Sequence, residues 1–150
     1  MIKQVLVAVD GSENSIRALD FALDLTEKYA AQLTILNVSE SMAVATVPQD
    51  PGAIAAENLV TYNKDLGKIH ENILKKAVAH AKESKPNMTI SSKLREGNAA
   101  SQIIAEAKES GSDIIVVGHK GVGKVKEFLG MGGISEKVVH TAPCPVVIVR

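Results

Sequence analysis

The sequence predicts an α/β protein built on an open, doubly wound, five-stranded parallel sheet of strand order 3-2-1-4-5, with helices on both faces. Three observations point there. Apolar runs of strand length alternate with stretches of helical period in the order β-α-β-α-β-α-β-α-β, and right-handed crossovers then wind the strands into one parallel sheet. The 150 residues are 45% hydrophobic but only 3% aromatic. Val, Ile, Leu and Ala must therefore fill the core, as in parallel strands covered on both faces. Finally, Gly118, Gly121, Gly123, Gly130, Gly132 and Gly133 all lie between one apolar strand pattern and the next helical pattern.

Val5 to Val9 is an unbroken apolar run stopped by Asp10-Gly11-Ser12, a central buried strand. Ser12 and Ser15 offer caps to a helix whose stripe of Ile16, Leu19, Phe21, Ala22, Leu23 and Leu25 runs on to Tyr29. Leu33 to Val38 is the second strand. Ser39 to Glu57 holds Pro48, Pro51 and Gly52 without a firm period and reads as a long connection. Asn58 to Ser84 is the longest helix, with Leu59, Tyr62, Leu66, Ile69, Ile73, Ala77 and Ala81 on one face and Pro86 closing it. Met88 to Arg95 alternates apolar and polar residues, as an edge strand does. Gly97-Asn98 introduces a helix from Ala99 to Glu109, with Ile103, Ile104 and Ala107 inward. Ile114 to Val117 is the fourth strand, Ile134 to His140 a short helix, and Pro145 to Val149 the last strand. The arrangement is Rossmann-like. No repeat or low-complexity segment divides the chain, so residues 1–150 are expected to form one domain.

Composition narrows the partners. The 17 basic and 17 acidic residues cancel, which argues against nucleic acid or an acidic membrane as the main partner. Cys144 is the only cysteine, which excludes an internal disulfide and fits a reducing compartment. The opening apolar run breaks at Asp10 without a cleavage site, and no run is long enough to span a bilayer. A soluble cytoplasmic protein is expected. His70 and His80 share a helix without a His-x-x-x-His pair, and His140 is distant in sequence, so a dedicated metal site is not expected. No Gly-x-Ser-x-Gly elbow or Cys–His pairing points to nucleophilic catalysis.

Ligands of open parallel sheets sit past the carboxyl ends of the strands, where the winding reverses. Asp10-Gly11-Ser12, Val38-Ser39 and the glycine segment after the fourth strand meet that description. A glycine-rich turn from a buried strand into a helix N-terminus presents several backbone N–H groups to an anion. Lys120, Lys124 and Lys126 match a phosphate in sign, and Lys120 lies between Gly118 and Gly121. The stretch Gly118-His119-Lys120-Gly121-Val122-Gly123-Lys124-Val125 nearly spells a P-loop. However, Val125 replaces the Mg²⁺-binding hydroxyl, and the segment follows the fourth strand rather than the first. A plainer reading of the same residues makes the glycine segment a simple connection, Asp10 a helix cap and Val38 a core residue.

The opening Val5-Leu6-Val7-Ala8-Val9-Asp10-Gly11-Ser12 and the closing stretch from Ser135 through Pro143-Cys144-Pro145 to Val149 resemble the universal stress protein family over nearly the whole chain. ATP-binding members of that family carry Gly, two residues, Gly, nine residues, then Gly followed by Ser or Thr. Gly118 and Gly121 match the first half. The resemblance implies ATP with Mg²⁺ in a crevice at the carboxyl ends of strands one and four. Asp10 and Val38 would flank the nucleoside, Asp10 near ribose or metal and Val38 offering backbone to adenine, with Ala8 and Val117 in the same crevice. Gly118, Lys120 and Gly121 would lie by ribose and α-phosphate. Gly132, Gly133, Ile134 and Ser135 would hold the outer phosphates.

The chain departs from the pattern at two places. Ten residues separate Gly121 from Gly132, and Gly133 stands where Ser or Thr is expected, which leaves the hydroxyl contact to Ser135. The resemblance further implies a stress-response protein that uses the bound nucleotide as a signal. It also implies a homodimer through the C-terminal strand, which would cover an apolar edge. No residue is obviously placed to activate water, and slow ATP hydrolysis stays compatible with the sequence. An AMP or cyclic AMP sensor and a dimeric interaction module without nucleotide are the alternatives.

Overall fold

A computed structural model describes residues 1–40, 53–119 and 133–150, with the backbone alone for 53–57 and 59. The elements are β1 (Gln4–Ala8), α1 (Glu13–Tyr29), β2 (Gln32–Ser39), α2 (Ala53–Ser84), β3 (Ile90–Glu96), α3 (Ala99–Ser110), β4 (Ile114–Gly118), α4 (Ile134–Thr141) and β5 (Val146–Val149). The sheet runs β3-β2-β1-β4-β5 with every pair parallel, as the alternation of elements and the crossover rule require.

The strands read as apolar runs because each face of the sheet is covered. Val5, Val7 and Val9 join Leu33, Ile35 and Val116 beneath α1 and α2, where Leu19, Leu23, Ala77 and Ala81 close the layer. Leu6, Leu36, Ile115 and Val117 face α3 and α4, packing on Ile103, Ala107 and Val138. α1 is capped by Ser12, whose hydroxyl accepts the Ser15 amide at 3.2 Å. α3 is capped by Asn98.

Three details differ from the sequence reading. α2 begins at Ala53 rather than Asn58, so the Ser39–Glu57 connection is shorter at its C-terminal side; its residues 41–52 lie outside those described. Phe21 is on the outer face of α1. Tyr62 and Ile69, placed on the inner face of α2 by periodicity, are 51% and 54% exposed. The rotation of the helix explains them. The partly buried face of α2 runs through Asn63, Leu66, Gly67, His70, Ile73 and Leu74 to Ala77 and Ala81. At about 100° per residue, Tyr62 and Ile69 fall on its exposed flank.

β3 is an edge strand, tied to α3 by charge. The Glu106 side chain is fully buried. It accepts Lys93 Nζ at 2.7 Å and Arg95 Nη1 at 2.9 Å. Arg95 also donates to both carboxylate oxygens of Glu109, at 2.8 and 3.2 Å, and to Gln102 at 2.8 Å. These hydrogen bonds, led by the one to Glu109, hold the guanidinium charged above its ordinary range. In turn the hydrogen bond from Arg95 lowers the Glu109 carboxyl. Among the described residues no helix is long and apolar enough to cross a membrane.

Candidate functional site

β1 and β4 are neighbours, and the chain winds outward from them in opposite directions. The ends of β1, β2 and β4 therefore meet at one switch point. β1 stops first. Its pairing with β2 ends at Ala8 and Leu36, with the Val9 amide donating to the Leu36 carbonyl at 2.8 Å. β2 continues beside β3 to Ser39.

Backbone groups alternate sides along a strand. Gln32 and Leu36 bond toward β1, and Leu33 and Ser39 toward β3. Val38 therefore turns its N–H and C=O into the space past the end of β1. Across that space Ile115 and His119 bond toward β5, so the backbone of Gly118 faces back toward β1. Ala8, Val38 and Val117 share the α3–α4 face, where they pack on the Leu6 and Ile115 cluster and give the crevice an apolar wall.

Between these backbones the chain leaves β1 through Asp10. Its Oδ1 accepts the Ser12 amide at 2.9 Å, and its own amide donates to Ser15 Oγ at 3.2 Å, a local turn typical of Asp. Ser12 takes the capping role that the sequence left open between the two residues. Gly11 has φ +81, and a Cβ there would stand 3.3 Å from Ile73, so α2 packs directly on the turn. At Gly118 a Cβ would stand 2.9 Å from the backbone carbon and oxygen of Asn14, so the start of α1 crosses the end of β4 with no room for a side chain.

α4 starts at this same place. Its N-cap, Gly133, makes no side-chain cap bond. α1 and α3, by contrast, use Ser12 and Asn98, and Glu40 Oε1 also accepts the Ala99 amide at 3.0 Å. Among the described residues no side chain caps the first-turn amides of α4, which begin at the half-exposed Ile134 and suit an anion. Glu136 is also in that first turn, exposed to solvent. The Ser135 hydroxyl donates to the His119 carbonyl at 3.3 Å and ties α4 to the end of β4. To reach a phosphate it must exchange that bond. Lys120, Gly121, Gly132, Lys124 and Lys126 lie outside the described residues.

Among the described residues a Cβ at Gly133 meets only Ser135 Oγ, at 3.9 Å, and its φ of −59 suits any residue. Gly133→Ser is therefore expected to raise stability by a few tenths of a kcal/mol through capping. It should leave ligand affinity equal or tighter, measured by melting and titration. A large loss of affinity would mean that Gly133 does not occupy the Ser/Thr position of the family pattern.

The sequence reading passed over Asn37 and considered His70 only as a metal ligand. Asn37 is 1% exposed. Its Nδ2 donates to the Val9 carbonyl at 2.6 Å, and its Oδ1 meets His70 Nδ1 at 2.7 Å. Burial pushes the His70 imidazole below its ordinary 6.5, while the carboxylates of Asp10 and Glu40 pull it back up. A polar residue inside the apolar run from Leu33 to Val38 was the available signal. Among the described residues no group of three or more His, Cys, Asp or Glu is placed to hold a metal. A groove of about 490 Å³ lies elsewhere, between α2 and β3, lined by Leu74, Val78 and Leu94.

The Universal stress protein family model matches residues 1–150. Universal stress protein YxiE of Bacillus subtilis is 35% identical over 155 residues that cover 100% of both chains. Universal stress protein UspA from Lactobacillus plantarum has a similar structure, with a TM-score of 0.79 at 21% identity over 99% of this chain and 98% of that one. A universal stress protein in complex with cAMP is similar with a TM-score of 0.72 at 24% identity, over 99% and 97%. With the family matched from end to end on a sheet of the expected order, the chain belongs to the universal stress protein family.

Proposed function

We propose that residues 1–150 are a single nucleotide-binding domain that holds ATP across the carboxyl ends of β1 and β4 and uses the bound state as a stress signal in the cytoplasm. The observation that carries this reading is α4. Among the described residues its N-terminus has no side-chain cap, and Ser135 ties it to the end of β4, beside Gly118. Helix amides in that position bind phosphate through direct N–H donors and the helix dipole. The N–H and C=O of Val38 suit the adenine edge, which offers an acceptor and a donor side by side, and Ala8, Val38 and Val117 suit its apolar faces. Asp10, in the turn after β1, suits ribose hydroxyls or Mg²⁺. A single carboxylate fits a Mg²⁺ bound mainly through phosphates and water; when bound, that ion would neutralise phosphate charge. The cAMP complex of a related protein supports an adenine ligand and makes AMP or cyclic AMP the second reading.

A melt of nucleotide-stripped protein with ATP, ADP, AMP, cyclic AMP and GTP, each with and without Mg²⁺, tests this. At hundredfold excess over Kd, binding adds about 2.7 kcal/mol, which raises Tm by roughly 5–10 °C. A shift with ATP supports the reading. A shift only with AMP or cyclic AMP moves the protein to the second reading, and no shift with any of them defeats both.

The same reading includes a homodimer through β5, whose four residues Val146–Val149 carry no charge and leave Ile148 40% exposed at the sheet edge. Light scattering on the eluting protein is expected to give twice the 15.9 kDa chain mass. Monomer alone at micromolar concentration would count against it.

A further inference from the structure

We propose that the buried Asn37–His70 pair presents the site's backbone to the nucleotide, which makes His70 a positioning residue on a helix outside the crevice. The inference rests on the nucleotide reading above.

In a parallel ladder the bond from the Val9 amide to the Leu36 carbonyl is followed by one from the Val38 amide to the Val9 carbonyl. Here the Asn37 side chain supplies a donor to that acceptor, Nδ2 at 2.6 Å. The rung passes to a side chain, and the Val38 N–H stays directed into the crevice. The same bond holds the carbonyl immediately before Asp10. One amide group thus sets both the adenine-facing backbone of β2 and the turn that carries the carboxylate.

The amide works only in one orientation, which the Val9 carbonyl fixes and a donor on His70 completes. Because Nδ2 faces a carbonyl, Oδ1 faces His70 and accepts. His70 Nδ1 must then carry the hydrogen at 2.7 Å, so the neutral ring is the Nδ1–H tautomer. Flipping the amide would set two acceptors against each other at Val9, and two donors against each other at His70 in its Nδ1–H form. One turn further along α2, Ile73 lies against Gly11. The helix therefore holds the Asp10 turn at two points, one polar and one apolar. Charged groups facing the imidazole are Asp10 at the end of β1 and Glu40 at the end of β2.

The test compares His70→Phe, which removes the donor, with His70→Asn, whose side-chain amide can place an N–H near the Nδ1 position. Each is titrated with ATP, AMP and cyclic AMP, and its melt is recorded. Loss of one hydrogen bond predicts about tenfold weaker binding for His70→Phe, with His70→Asn recovering most of it. Nitrogen NMR of the imidazole, well above its ordinary pKa of 6.5, is expected to show the Nδ1–H tautomer. The Val38 amide resonance should shift in His70→Phe even without ligand.

Wild-type binding that survives His70→Phe unchanged overturns the proposal, as does equal weakening by both variants or an Nε2–H tautomer. If His70→Phe does not fold, His70→Gln, whose amide reaches the Nε2 position instead, takes its place. If wild-type protein binds none of the three nucleotides, the nucleotide reading fails. The tautomer and the Val38 shift then decide by themselves whether the pair sets the strand end.

Discussion

Gly118→Ala is expected to destabilise the protein by about 1–3 kcal/mol and to abolish nucleotide binding; Gly118→Val should do worse. The added Cβ falls 2.9 Å from the carbonyl carbon and oxygen of Asn14. These are backbone atoms in the first turn of α1, and no rotamer change moves them. Relief requires α1 to lift from the end of β4, and α1 begins at the Asp10 turn. The change therefore opens the crevice as well as straining the core. Denaturant unfolding at constant m-value, paired with an ATP titration, checks both effects. A Gly118→Ala variant within about 0.5 kcal/mol of the parent would show that the helix start yields easily, and that glycine at this position serves the ligand rather than the packing.

Arg95→Ala should cost about 2–3 kcal/mol, below the roughly 3–5 kcal/mol typical of breaking a buried pair. Glu106 is fully buried and, among the described residues, would keep only Lys93, itself 49% exposed, as a cationic partner. Arg95→Met, which preserves the packing of the stem, should cost nearly as much if charge is the cause. The pH dependence carries a sign. Glu109 has its folded carboxyl held below the usual 4.5 by Arg95. On acidification the unfolded chain protonates first, so this stabilisation is present above 4.5 and disappears as pH falls through the depressed value. In Arg95→Ala that part of the acid loss should vanish and the stability profile flatten below about pH 5. An unchanged acid limb would place the coupling elsewhere.

Much of this was legible in the sequence because the physics is local. Unbroken runs such as Val5 to Val9 can only be strands covered on both faces, and Gly97-Asn98 and Ser12 announce helix starts through the chemistry of their own side chains. The convergence of Asp10, Val38 and Gly118 followed from strand order alone. What escaped is set by distance between elements. Tyr62 and Ile69 keep a helical period, but the partly buried face of α2 passes through Asn63, Leu66, Gly67 and His70 beside them, and an apolar period does not record how polar residues share the inward face. Asn37 looked like one polar residue in a strand. Its meaning depends on His70, which arrives 33 positions later on a helix whose register no local pattern fixes. The glycine at 118 was visible as a ligand feature, whereas its steric cause, the Asn14 backbone, belongs to another element.

The two margins of the sheet are chemically unequal, and this bears on how many copies can join. β3 presents Lys93, Arg95 and Glu96, with the first two committed to α3; charge of this kind discourages a foreign strand. β5 presents Val-Val-Ile-Val. A subunit with two receptive margins would add neighbours without end, each new copy offering a fresh surface. With one receptive margin, two copies that meet there satisfy each other and leave nothing for a third, a self-terminating pairing about a twofold axis. In the proposed homodimer the ion pairs of Glu106 would thereby act as a stop signal for polymerisation, at a place far from the crevice and independent of what it holds.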